Sequence, residues 1–126
     1  MSADALPTAL QSFILRHMPS IDHVAVLLAF RGQPGLSLRA ADIARQTRLD
    51  GPVVERVTRD LVSSGLVQRV RDAHQYAPPE AMLPTIDELT DMYQTRPVTL
   101  VRALYDRPAS AARNFADAFR LRKSGD

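Results

Sequence analysis

Between residues 36 and 77 the apolar positions keep one period and then change it. Val54, Val57 and Leu61 recur at spacings of three and four, with Thr58 alongside. Glu55, Arg56, Arg59, Asp60 and Ser63 fill the opposite positions. This pattern predicts a helix over residues 51–64 with one buried face. Asp50 suits its N-cap, Pro52 its first turn, and Gly65 the left-handed residue that ends a helix. A shorter helix is expected over residues 39–47, burying Ala41, Ile43 and Ala44, with Leu49 anchoring the turn between the two. Residues 66–71 then alternate as a strand does. Asp72-Ala73-His74 reads as a turn, and Gln75-Tyr76-Ala77 as the return strand.

The flanks are helical. Pro7 or Thr8 opens a helix to about His17, with Leu10, Phe13, Ile14 and His17 on one face. Pro19 interrupts it, and Ser20 caps a second helix with Asp22 in its first turn. Ile21, Val24, Leu27 and Leu28 form its core face, and Val26 and Phe30 either extend that face or meet the first helix. Gly32-Gln33-Pro34-Gly35 is a loop. Beyond Pro78-Pro79, a helix starting at Pro84 or Thr85 carries the stripe Ile86, Leu89, Met92, Tyr93. Arg96-Pro97 breaks it. Val98, Val101, Leu104 and Tyr105 continue an apolar face, and a last helix capped by Ser110 carries Phe115 and Phe119.

Composition narrows the chemistry. The 126 residues make one domain with an appended helical element. With 45% apolar and 24% charged residues, the chain is an ordinary globular one. Its net charge is only +2, but residues 31–71 hold eight arginines against four carboxylates. A local basic excess of this kind suits a phosphate-facing surface. There is no cysteine, which excludes disulfides and thiolate-held metals. His17, His23 and His74 are scattered, with no partners at metal-ligand spacing, so neither metal nor cofactor is expected. No glycine-rich phosphate loop, nucleophile elbow or paired-carboxylate cleft motif appears, and an enzyme is not expected. The longest apolar run, residues 24–30, is too short to span a bilayer, and no secretory signal opens the chain. The expectation is a cytoplasmic protein without a membrane partner.

The order helix, turn, helix, Gly-Leu-Val, basic hairpin resembles that of the winged helix-turn-helix transcription regulators, in the broad manner of the MarR-like group. Leu61-Val62-Ser63-Ser64-Gly65-Leu66-Val67 fits their pattern of a leucine, three variable residues and Gly-Leu-Val. Leu49, Val54, Val57 and Leu61 fit the preceding apolar spacing. The tail, residues 114–123, is similar to the end of a group of small, functionally obscure bacterial winged-helix proteins. The implied fold is mainly α with a small β-hairpin wing, and Leu36-Ser37-Leu38 stands where the very short strand that often pairs with the wing is expected. It comprises an N-terminal helix (1–19), a winged helix-turn-helix domain (20–79) and a C-terminal helical segment (80–126).

The resemblance implies a regulator that binds double-stranded DNA through recognition helix 51–64 and wing 67–77. A helix fits the major groove, where arginine can grip guanine and valine can touch a thymine methyl. Pro52, Val53, Arg56 and Arg59 are the candidates there. Thr47 and Arg48 in the preceding turn, Arg39 before it, and Arg69, Arg71 and His74 on the wing are candidates for the DNA backbone. The bland alternative pairs Glu55 with Arg59 and Arg56 with Asp60, each four apart on a solvated helix face. The functional alternative is a winged helix that binds protein rather than DNA, and a separate effector also remains open. Ile86, Leu89, Met92, Tyr93, Val101, Leu104, Tyr105, Phe115 and Phe119 either join two copies as a homodimer or fold back on the Leu10, Phe13, Ile14 helix.

Overall fold

Pro19 divides the first helical stretch in two, and the chain turns through 103° at the break. The computed structural model describes residues 6–105. It places α1 at Thr8–His17, α2 at Ile21–Arg31, α3 at Ala40–Thr47 and α4 at Gly51–Ser63. Strands β1 (Val67–Val70) and β2 (Ala73–Tyr76) follow. A 3-10 turn at Glu80–Met82 then leads into α5 (Leu83–Thr95) and α6 (Pro97–Tyr105). Ser110, Phe115 and Phe119 lie outside the described residues. No single helix among the described residues is long and apolar enough to cross a membrane.

Local chemistry sets the ends of these helices. Ser20 is extended, and its hydroxyl accepts the His23 N–H, as an N-cap should. Asp50 also sits at an N-cap in extended conformation, but its carboxylate makes no capping bond, so the helix start rests on Pro52 and on packing. α4 ends in a Schellman motif. The Gly65 N–H donates to Val62 O and the Leu66 N–H to Leu61 O, both at 3.0 Å. Gly65 has φ +79°, which a side chain would strain. That reversal buries Leu66 and Val67 and aims the chain into β1.

The two strands are antiparallel, with Val67 opposite Tyr76 and Val70 opposite Ala73. The expected third strand is a single bridge. The Leu38 N–H donates to His74 O at 2.7 Å, and the His74 N–H to Leu38 O at 2.8 Å. The hairpin turn differs from the expectation of Asp72-Ala73-His74. It is the residue pair Arg71-Asp72, and Ala73 and His74 belong to β2. Arg71 adopts φ 60°, a conformation read from sequence only where glycine or asparagine stands.

α4 packs against α2 and α3, and α5 packs against α1 and α6. Val24, Leu27, Phe30, Ile43, Val54, Val57 and Leu61 form one continuous core with Leu10, Phe13, Ile14, Ile86, Leu89, Met92, Leu100 and Leu104. Within α2, Val26 and Phe30 are buried, while Ile21 and Leu28 are half-buried at its edge. Ala41 is exposed, contrary to the sequence reading, because α3 turns only Ile43 fully inward. The stripe Ile86, Leu89, Met92 and Leu104 is packed inside the chain beside α1. Those four side chains are therefore not available as a face between copies. Tyr93, Val101 and Tyr105 are exposed, as is Val98.

Two stability predictions follow from this packing. Leu61 is fully buried, so Leu61→Ala should cost about 2–5 kcal/mol, read as a lower urea midpoint. An unchanged midpoint would contradict its place in the core. The His17 ring packs tilted against Phe13, centroids 5.0 Å apart, with its Nδ1 buried and without a hydrogen-bond partner among the described residues. Burial first, and then the Arg16 charge, hold its pKa below the ordinary histidine value. The unfolded chain therefore takes up that proton more readily. The stabilisation is complete above the unfolded pKa of about 6.5 and is lost as pH falls below it, toward the lower folded value. Urea midpoints should drop from about pH 7.5 to about pH 5.5, and His17→Phe should flatten that slope.

Candidate nucleic-acid interface

The buried edge of α4 dictates its free edge. With Val54, Val57, Thr58 and Leu61 inside, Pro52, Glu55, Arg56, Arg59, Asp60 and Ser63 face solvent. Arg56 and Arg59 are three apart, and so lie on one side of the helix. The four ion pairs among the described residues are His23–Asp60, Arg31–Asp87, Arg39–Asp72 and Arg45–Asp42. Neither Arg56 nor Arg59 is in any of them. The intrahelical pairs that could have neutralised both guanidiniums are not formed.

The reason for Arg56 is visible in α2. His23 is only 4% exposed, and its Nε2 lies 2.8 Å from Asp60 Oδ2. Its Nδ1 lies 2.7 Å from Ser20 Oγ. The Ser20 hydroxyl accepts the His23 N–H, so its own hydrogen is available to Nδ1. Nε2–H can donate to the Asp60 carboxylate, which accepts only, while the Ser20 hydroxyl can give or take a hydrogen at Nδ1. A buried histidine thus gets partners for both nitrogens, and the Asp60 carboxylate is drawn away from Arg56. Sequence reasoning missed this pair. Its members are 37 residues apart, and nothing local to either announces the other.

The remaining candidates divide. Arg48 is exposed at the C-terminal end of α3, with φ 63°. Thr47 is committed internally, its hydroxyl donating to Ile43 O at 2.7 Å and accepting the Leu49 N–H at 3.4 Å. Val53 is half-buried against the core, which leaves it little surface to offer a thymine methyl. Arg39 begins α3, where its N–H donates to the Asp42 carboxylate at 3.0 Å. This hydrogen bond, and then the Arg45 and Arg39 charges, hold Asp42 below the usual carboxylate range. The Arg39 guanidinium reaches Asp72 at the wing tip, 3.0 Å away. Both groups are exposed, so the pair is weak and exchangeable.

On the wing, Arg69 Nε donates to the Arg71 carbonyl at 3.0 Å and braces the turn. Arg71 is exposed at the tip. His74 is not at the tip. It sits in β2 opposite Arg69, its backbone engaged by Leu38. Burial first and then Arg69 lower its pKa, so it brings little positive charge near neutral pH. Among the described residues no group of three or more His, Asp or Glu side chains is placed to hold a metal ion.

An α-helix pair joined by a tight turn, followed by a hairpin tied back to the start of the first helix, defines a winged helix. Residues 18–75 match the model of the MarR family. Over that stretch, a little under half of the chain, the sequence is similar to the MarR-family domain, in keeping with the winged-helix fold. No curated protein and no solved structure matches the chain.

The His23–Asp60 contact makes a testable demand on stability. Replacing His23 with Leu removes these hydrogen bonds but leaves an exposed Asp60 carboxylate that water can solvate, and should cost about 0.5–1.5 kcal/mol. His23→Gln keeps a donor within reach of Asp60 and should cost less. Equal urea midpoints for the two variants would show that the hydrogen bond contributes nothing beyond packing.

Proposed function

We propose that this chain binds double-stranded DNA as a homodimer and thereby regulates transcription in the cytoplasm. The observation that carries the reading is the pair of exposed guanidiniums on α4, Arg56 and Arg59, outside every ion pair among the described residues. A helix carrying two such groups can enter the major groove and present them to guanine O6 and N7. Arg39, Arg69 and Arg71 supply charge beside it for the phosphates.

The second copy is supported by α6. Val98, Val101 and Tyr105 fall at spacings of three and four and are 65%, 40% and 58% exposed. With the inner stripe already packed against α1, this outer stripe is an exposed apolar surface on one helix face, and a two-fold contact would bury it twice. Two-fold symmetry also delivers two recognition helices to a palindromic site, with half-site centres about 34–36 Å apart.

The test is selection of bound sequences from random duplex DNA, followed by titration at several salt concentrations. Arg56→Ala and Arg59→Ala should each lose about 1–3 kcal/mol on the selected duplex and relax the preference at one position. Absence of salt-dependent binding by the wild-type protein would remove DNA from the reading and leave a protein-binding winged helix. Sedimentation as a monomer at micromolar concentration would remove the dimer independently.

A further inference from the structure

Arg56 and Asp60 stand four apart on the solvent face of α4, the spacing at which opposite charges on a helix meet. An aspartate carboxylate sits on a short side chain and can turn to one partner at a time. Here it turns across to α2, with Oδ2 2.8 Å from His23 Nε2. His23 is buried, and Ser20 Oγ lies 2.7 Å from its other ring nitrogen. Ser20 is itself fixed at the N-cap of α2, where its hydroxyl accepts the His23 N–H. The group that holds Asp60 is therefore anchored in the core. Asp60 is 54% exposed, and water could satisfy its carboxylate. What water could not do is decide which way that carboxylate points.

Resting on the DNA-binding reading above, we propose that His23 is a positioning residue for the base-reading face of α4. It holds the Asp60 carboxylate toward α2 and so keeps the Arg56 guanidinium uncompensated and open to a guanine edge. Without His23 the carboxylate turns to the cation one helical turn away, which is Arg56. That pair must then be broken whenever Arg56 takes up guanine O6 and N7. An exposed pair on a helix is weak, so the penalty is a factor of about two in affinity. It falls on one arginine. Arg59 is next to Asp60 in sequence, and helix neighbours one apart do not face each other. The charges on the wing are equally untouched, so the loss is one of preference at a single base pair and not of general attraction to phosphate.

The test is a mutant cycle read as affinity in competition titrations on the selected duplex at fixed salt. His23→Leu should weaken binding about twofold and relax the preference at the same base pair as Arg56→Ala does. His23→Gln keeps a donor for Asp60 and should bind as the wild type does. In an Asp60→Asn background there is no carboxylate to release, and adding His23→Leu should change nothing. In an Arg56→Ala background it should again change nothing, whereas in an Arg59→Ala background it should keep its full effect. A loss that persists in the Asp60→Asn or Arg56→Ala background would show that His23 acts through the fold, and would overturn the proposal. Wild-type affinity and base preference in His23→Leu would overturn it too, while leaving Arg56 and Arg59 as readers of bases. A wild-type protein that binds no duplex at low salt would remove the DNA reading itself, and the proposal with it.

Discussion

The burial of Val54, Val57 and Leu61 between α4 and its neighbours α2 and α3 is the constraint on which the rest depends. A helix has one rotational phase. Once three apolar side chains choose the inward side, the chain has no further freedom over which residues face out. Arg56 and Arg59 are solvent-facing because of what lies behind them. The same burial places the end of the helix. Leu61 is both a core residue and the acceptor of the Leu66 N–H, so the reversal at Gly65 is registered to the core. The wing leaves α4 in the direction this reversal gives it.

Polar contacts then refine what the apolar core positions. Ser20, His23 and Asp60 form one hydrogen-bonded chain from the N-cap of α2 to the outer face of α4. Next to it, the Ile21 N–H at the start of α2 donates to the Tyr105 hydroxyl of α6 at 3.0 Å. The N-terminal end of α2 is therefore the junction where the helices outside the winged helix meet the one that carries the exposed arginines. Buried polar groups are costly unless satisfied. Both ring nitrogens of His23 have partners, and so this junction holds one geometry.

Much of this was legible in residue order, and the reasons are local. Ser20 as cap, the face of α4 and the glycine stop depend on residues within a few positions of one another, or on one unambiguous period; the Leu38 contact with the hairpin, made to His74, follows only from the order of the winged-helix motif. The wing turn was misplaced because its conformation contradicts its composition. Arg71 carries the φ of a glycine, and no propensity rule puts an arginine there. His74 was consequently assigned to the tip. The His23–Asp60 pair was invisible because each residue is unremarkable in its own helix. The stripe Ile86, Leu89, Met92, Leu104 shows the general limit of periodicity. It establishes that a face is buried, and it is identical whether α1 or a second copy does the burying. Only the packing of α5 against α1 distinguishes the two.

The wing is short and tethered, and this bears on how the surface acts. Its strands have four residues each and its turn two. Two backbone hydrogen bonds tie its second strand to Leu38, while the exposed Arg39–Asp72 pair at its tip adds little. A long wing attached only at its base could adjust to different grooves. This one moves with α3, and α3 moves with α4 through their shared core. The spacing between the arginines of α4 and those of the wing is accordingly a property of the fold. On the proposed DNA-binding reading, such a set of charges would meet a polymer whose groove width and bendability vary with sequence. Such a surface can favour one duplex over another even where it touches only phosphates, because the cost of matching a fixed spacing falls on the DNA.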